Sequence, residues 1–323
     1  MNSSNNNDII QKLIDSSQLK TCTISCGEKL SYKIYNKNTK PIHSLVVIAG
    51  FGGDSTHLAA ELASLSQFSE DHCIVGINPR GFGTSTQHNV NCTHEENAKD
   101  IKQVIDYLRM EKTMVLGHST GGPIAALLAI NYPETIKAAF LMSSVPLHGM
   151  QYPIISADGI PTGRFVTTEE EMDAHCKFVR SMGFLSDDEV SCHKAWSSFT
   201  SPMPEVGTPQ MKRFHTAASS FNAVKGACYA NSKFNITPIK TVQSNPSDIL
   251  QSLKVPIVVL HGSSDTVVST MKVRSITNLA IAESWAPGGL LSYYEHAGNH
   301  FPLFEIPNEW ADVYRKALEE NVK

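Results

Sequence analysis

A chain of 323 residues is long enough for one large α/β domain carrying an insertion, or for two domains. With 41% hydrophobic and 18% charged residues it reads as a packed globular protein, which excludes a disordered one. A formal net charge of −4 with no lysine/arginine run excludes a nucleic-acid-binding surface, and no apolar run approaches the ~18 residues of a spanning helix.

Residues 1–8 are polar and asparagine-rich and are expected to form a disordered tail. They have neither a basic stretch nor an apolar core, so no signal peptide is expected. A short helix over Ile9–Leu19 follows, then two strands, Thr21–Ile24 and Leu30–Tyr35, joined by a turn with Gly27. Ser44–Ala49 is a continuous apolar strand that stops at Gly50-Phe51-Gly52-Gly53; Asp54 or Ser55 then caps a helix to about Phe68. Cys73–Ile77 is another strand, ending in Asn78-Pro79-Arg80-Gly81-Phe82-Gly83-Thr84-Ser85. A helix opens at Thr93, with Glu96 completing a capping box and Ala98, Ile101, Val104, Ile105 and Leu108 on one face. Strand Thr113–Leu116, helix Ile124–Ile130 and strand Lys137–Met142 continue the alternation, which implies a parallel sheet covered by helices on both faces.

From Leu147 to Asn245 no long apolar strand appears. Amphipathic pieces at Thr168–Met182, Ser186–Ser198 and Pro209–Tyr229 predict a helical cap inserted over 147–245, between core segments 9–146 and 246–323. Strand Val255–Leu260, helix Ser269–Glu283, strand Leu290–Tyr294 and helix Pro307–Glu320 close the chain. The seven cysteines (Cys22, Cys26, Cys73, Cys92, Cys176, Cys192, Cys228) contain no C-x-x-C pair, and Cys22 and Cys26 have no second pair at a zinc-finger distance. They read as reduced thiols of a cytoplasmic protein. The sequons at Asn91 and Asn235 are then chance matches.

The stretch Met114-Val115-Leu116-Gly117-His118-Ser119-Thr120-Gly121-Gly122-Pro123 carries G-x-S-x-G between an apolar strand and a helix, the context of a nucleophile elbow. Alone the pattern is weak, since a glycine-rich turn with a bystander serine gives it too. In a parallel sheet, functional groups gather at the carboxyl ends of the strands. There His261-Gly262-Ser263-Ser264-Asp265 follows one strand, and Glu295-His296-Ala297-Gly298-Asn299-His300-Phe301-Pro302 the last. The order is therefore Ser119, Asp265, His300.

These pieces, with the Gly50-Phe51-Gly52-Gly53 and Arg80-Gly81-Phe82-Gly83-Thr84-Ser85 loops, make the chain resemble the α/β-hydrolase-fold serine hydrolases from about Thr21 to Glu320, the cap being the unmatched part. The resemblance implies an α/β fold with a mostly parallel eight-stranded sheet. It gives Ser119 as nucleophile, His300 as base and then acid, and Asp265 as the group that orients the imidazole. The backbone N–H groups of Phe51 and Thr120 become the oxyanion donors. Departures are Ala49-Gly50 where members often have His-Gly, Asn78 where Asp is common, and Asn299 where glycine commonly precedes the histidine; none removes a triad member.

His296 is a rival base, against which stand Gly298 and the Phe301-Pro302 that follow His300. His118 flanks Ser119 and reads as a packed elbow histidine. The strand before the cap ends in Ser143-Ser144-Val145 without a carboxylate, which favours Asp265. Arg80 reads as a loop brace sooner than an anion binder. His175, His193, His215, Cys176 and Cys192 match no zinc spacing, so no metal and no cofactor is expected. Of the cap aromatics Phe178, Phe184, Trp196, Phe199, Phe214 and Phe221, most form the cap's core and a few line a substrate cavity. The expected partner is a small acyl substrate, the expected reaction ester hydrolysis through an acyl-enzyme; the oligomeric state is open. The same triad also serves C–C bond hydrolysis, thioester hydrolysis or acyl transfer to an alcohol, and a hydrolase-like small-molecule sensor with slow turnover is a third reading.

Overall fold

The structure, a computed structural model, describes residues 3–36, 41–69, 71–86, 93–145, 152–156, 161–184, 186, 188–198, 202–215, 228, 253–267 and 290–322. Strands β1 (Lys20–Thr23), β2 (Lys29–Tyr35), β3 (His43–Ile48), β4 (His72–Ile77), β5 (Thr113–His118), β6 (Ile136–Met142), β9 (Ile257–Gly262) and β10 (Leu291–His296) form one eight-stranded sheet. Its order is β1-β2-β4-β3-β5-β6-β9-β10. β1 and β2 are antiparallel to each other and β2 to β4; every other pairing is parallel.

The continuous apolar runs follow from burial on both faces. Along β3, Val46 and Ile48 join a core cluster with Ile101, Val104 and Ile105, while Leu45 and Val47 join another with Leu58, Leu62 and Trp310. The first face is covered by α4 (His94–Tyr107) and α5 (Gly121–Asn131), the second by α2 (Ser55–Ala63) and the C-terminal α10 (Pro307–Asn321). α5 is buried from Gly121 through Ala129, as its uniformly apolar sequence requires. Thr93 accepts the Glu96 N–H and caps α4.

Three expectations change. The tail expected over 1–8 is helical from its third residue: α1 runs Ser3–Ser16. Nothing between Ser3 and Ser16 breaks a helix, and Ile10, 1% exposed, docks into the cluster containing Leu58 and Leu62 and holds it there. The helix expected to reach Phe68 breaks into α2 and α3 (Ser66–Ser69), because the Ser64 hydroxyl takes the Glu61 carbonyl at 2.7 Å. The cap is not purely helical. Before α6 (Glu169–Ser181), α7 (Glu189–Ser197) and α8 (Pro209–His215) it carries an antiparallel ribbon, β7 (Pro153–Ile155) with β8 (Pro161–Phe165). Strands of three and five residues, half-buried or exposed, leave no apolar run to read. The cap helix expected to Tyr229 lies, beyond 215, outside the described residues apart from Cys228, as do the helix expected over 269–283, Cys92 and both sequons.

A third cluster joins α6, α7 and α8 to loops beside the sheet: Met172, Phe184, Trp196, Met211 and Phe214 pack with Phe82, Val145 and Phe301. Among the described residues no helix is long and apolar enough to cross a membrane.

Candidate active site

β5 turns into α5 so tightly that Ser119 adopts φ 53°, the left-handed region an L-residue rarely occupies. Backbone hydrogen bonds hold it there. Its N–H donates to Met142 O (3.0 Å), and its carbonyl accepts from Gly122 (3.0 Å) and Val145 (3.1 Å). A Cβ on Gly117 would stand 2.1 Å from Gly121 O, and one on Gly121 would stand 2.4 Å from Ile48 O, so only glycine lets strand and helix meet here.

β9 and β10 lie side by side, and their ends deliver Asp265 and His300. The turns are cross-linked: Ser263 N–H donates to His296 O (2.9 Å) and Ser264 N–H to Gly298 O (3.3 Å). The structure brings the three sequence-predicted residues together. His300 Nδ1 is 2.8 Å from Asp265 Oδ2, and His300 Nε2 is 3.0 Å from Ser119 Oγ. All three are buried, Ser119 being 8% exposed, and Ser119 faces a cavity. That cavity is lined by Ser119 and His300, by Gly50 and Phe51 of the β3–α2 loop, and by Trp196, Arg213, Phe214 and Phe301. Neither Phe51 nor Thr120 gives its backbone N–H to a partner among the described residues.

The rivals are placed elsewhere. Among the described residues His296 does not line the cavity and has no partner at either ring nitrogen, and burial pushes it down to about 4. His261, likewise without a hydrogen bond, lies 3.8 Å from Asp265 Oδ2. Arg80 is a brace: its Nε donates to Asp100 Oδ2 and its Nη2 to Asp100 Oδ1 (2.7 Å). In the cap, His175 stacks on Tyr152 and Cys192 Sγ donates to Phe184 O (3.5 Å); no group of three metal-ligating side chains occurs among the described residues.

Sequence reading missed four contributors. His118 does pack in the elbow, but its Nε2–H also donates to His300 O (2.9 Å), and its ring lies 5.0 Å from that of His300. Burial, with the charges of His300 and Arg213, holds it well below the ordinary histidine range, so it stays neutral. Asn299, the departure from glycine, accepts Phe301 N–H on Oδ1 (2.7 Å) and shapes the turn that presents His300.

Arg213 and Glu61 pair across cap and core, Nη1 to Oε2 at 2.9 Å, each 3% exposed or less. The one available signal was Glu61 itself, a carboxylate inside Leu58-Ala59-Ala60-Glu61-Leu62-Ala63 that burial obliges to find a partner. Burial raises Glu61 to about 7 against the opposing pull of Arg213. Folded, Glu61 therefore keeps its proton to about pH 7; unfolded, it loses it near the usual carboxylate value. Its contribution is present below the unfolded pKa and lost as pH rises through the folded one. The expected result is that the Tm of the wild type falls relative to that of Glu61→Gln between pH 5 and 8; parallel curves would contradict it.

A family model described as the alpha/beta hydrolase fold matches residues 43–288. A bifunctional esterase/perhydrolase of Acinetobacter calcoaceticus is 26% identical over 227 residues, covering 68% of this chain and 72% of that protein. Among solved structures, a hydrolase from Pseudomonas aeruginosa superposes with TM-score 0.66 at 19% identity, covering 94% of this chain and 99% of that one. An esterase from Exiguobacterium antarcticum gives TM-score 0.66 at 17% identity, covering 94% and 100%. With the eight-stranded sheet and a family match over more than half its length, the chain belongs to the α/β hydrolase fold family and is a hydrolase.

Proposed function

We propose that the protein is a serine hydrolase cleaving a short carboxylic ester through an acyl-enzyme on Ser119. The observation that carries this is the hydrogen-bonded chain Ser119 Oγ, His300 Nε2, His300 Nδ1, Asp265 Oδ2 at 3.0 and 2.8 Å, at the floor of a cavity. A serine hydroxyl is a weak nucleophile until a base takes its proton. As Oγ attacks the ester carbon, that proton passes to His300 Nε2, and Asp265 stabilises the imidazolium and fixes its tautomer. The carbonyl oxygen gains negative charge and takes the N–H groups of Phe51 and Thr120, which have no other partner among the described residues. Nε2–H then protonates the departing alkoxide, and water repeats the sequence to free the acid and Ser119.

A fluorophosphonate tests the assignment. It is expected to add one phosphonyl group, located by mass spectrometry on Ser119; labelling elsewhere, or none, overturns it.

A further inference from the structure

Arg213 is the cation of the cavity wall, and its setting is not that of a plain structural ion pair. Its backbone is fixed, the carbonyl accepting Asp54 N–H at 2.9 Å. Its guanidinium lies over three rings, Cζ being 4.6 Å from the centroid of Phe304, 4.9 Å from Phe214 and 5.6 Å from Phe301. A guanidinium has five N–H donors in a rigid fork that matches a carboxylate with two parallel hydrogen bonds. The described residues supply one acceptor, Glu61 Oε2, in a one-point contact that leaves Glu61 Oε1 buried with no partner. Among the described residues the fork is thus underused although the residue is 2% exposed, in a place where an unmatched charge is costly. Its charge also reaches the elbow, where it helps keep His118 neutral.

We propose that Arg213 binds a carboxylate on the substrate, so that the preferred ester carries an anionic group a few bonds from the carbonyl that Ser119 attacks. This rests on the hydrolase reading above and adds a substrate class to it. The rings of Phe214, Phe301 and Phe304 hold the fork in place, so little side-chain freedom is lost when an anion docks. Glu61, raised to about 7, yields much of its charge near neutrality and leaves the guanidinium short of a counter-ion.

The test uses two matched pairs of esters. 4-Nitrophenyl hemisuccinate against 4-nitrophenyl methyl succinate puts the charge on the acyl side; 4-acetoxybenzoate against its methyl ester puts it on the leaving side. In at least one pair the wild type is expected to favour the anion in kcat/KM by about ten- to a hundredfold, the range of a charge-assisted hydrogen bond. Arg213→Gln is expected to collapse that ratio toward one. Should Arg213→Gln not fold, Glu61→Gln carries the test: it removes the counter-carboxylate and should raise the ratio several-fold.

No preference in either pair, an equal loss for both members of a pair in Arg213→Gln, or an unchanged ratio in Glu61→Gln makes Arg213 a cap tie only and overturns the proposal. Should no ester turn over although a fluorophosphonate labels Ser119, glutarate must protect Ser119 from labelling better than glutaramide does; equal protection overturns the proposal. Absence of labelling at Ser119 defeats the hydrolase reading itself.

Discussion

Ser119→Ala and His300→Ala are each expected to lower kcat by the order of 10⁶ while leaving the circular dichroism spectrum and Tm close to wild type. Either change removes one end of the 3.0 Å contact over which the proton must pass. The residual rate is that of the cavity and its N–H donors alone. Asp265→Asn is expected to cost about 10⁴. The amide offers His300 Nδ1 the same reach at 2.8 Å, but its N–H₂ group can turn the imidazole into the tautomer that cannot accept from serine. The three losses are not additive: His300→Ala in a Ser119→Ala background should cost little more. Steady-state kinetics on an activated ester checks all of this, and normal turnover in Ser119→Ala or His300→Ala contradicts the assignment. His296→Ala serves as comparison, since that side chain lies outside the cavity lining.

The second large effect falls on stability. Gly117→Ala is expected to destabilise the fold by about 3–5 kcal/mol, which lowers Tm by roughly 4–7 °C in a protein of this size. The added methyl would meet Gly121 O at 2.1 Å and Gly121 C at 2.4 Å, both backbone atoms that no rotamer can move. α5 cannot absorb the insult by sliding toward β3, because Gly121 already sits where a Cβ would be 2.4 Å from Ile48 O. Separating β5 from α5 would disturb the packing of Val115 with Ile124, Ala125 and Leu128. Thermal unfolding of the variant decides this; a wild-type Tm would show that strand and helix have room to part.

What could be read in advance depended on how far each signal extends along the chain. Ser119 and Asp265 were legible because each stands just beyond an apolar run, which a strand buried on both faces leaves in the sequence, and His300 because it follows the last strand in the order the other two set. The place of Phe51 beside the cavity follows likewise from the apolar run Ser44–Ala49 that precedes it. The β7–β8 ribbon was not, because its residues are half-buried or exposed and alternate with no face to bury. The break at Ser64 was hidden because a serine is compatible with a helix until its hydroxyl takes a carbonyl. The Arg213–Glu61 pair joins positions 152 residues apart, so each half shows only as a charge in an apolar setting. His118 was recognised as packed, but its bond to a carbonyl 182 residues later has no local trace.

That last bond has a mechanical consequence. Ser119 follows β5 and His300 follows β10, and β6 and β9 lie between these strands, a separation of roughly 14 Å at the usual interstrand spacing. Any shear or breathing of the sheet accumulates over three interfaces and would by itself change the gap between Oγ and Nε2. His118, one residue before Ser119 on the same strand, grips the carbonyl of His300 directly. Ser119 and His300, the residues of the proposed proton transfer, are therefore joined by a strut that bypasses the sheet. A bond placed so close to the pair resists any change that motion of the sheet would make in their 3.0 Å separation.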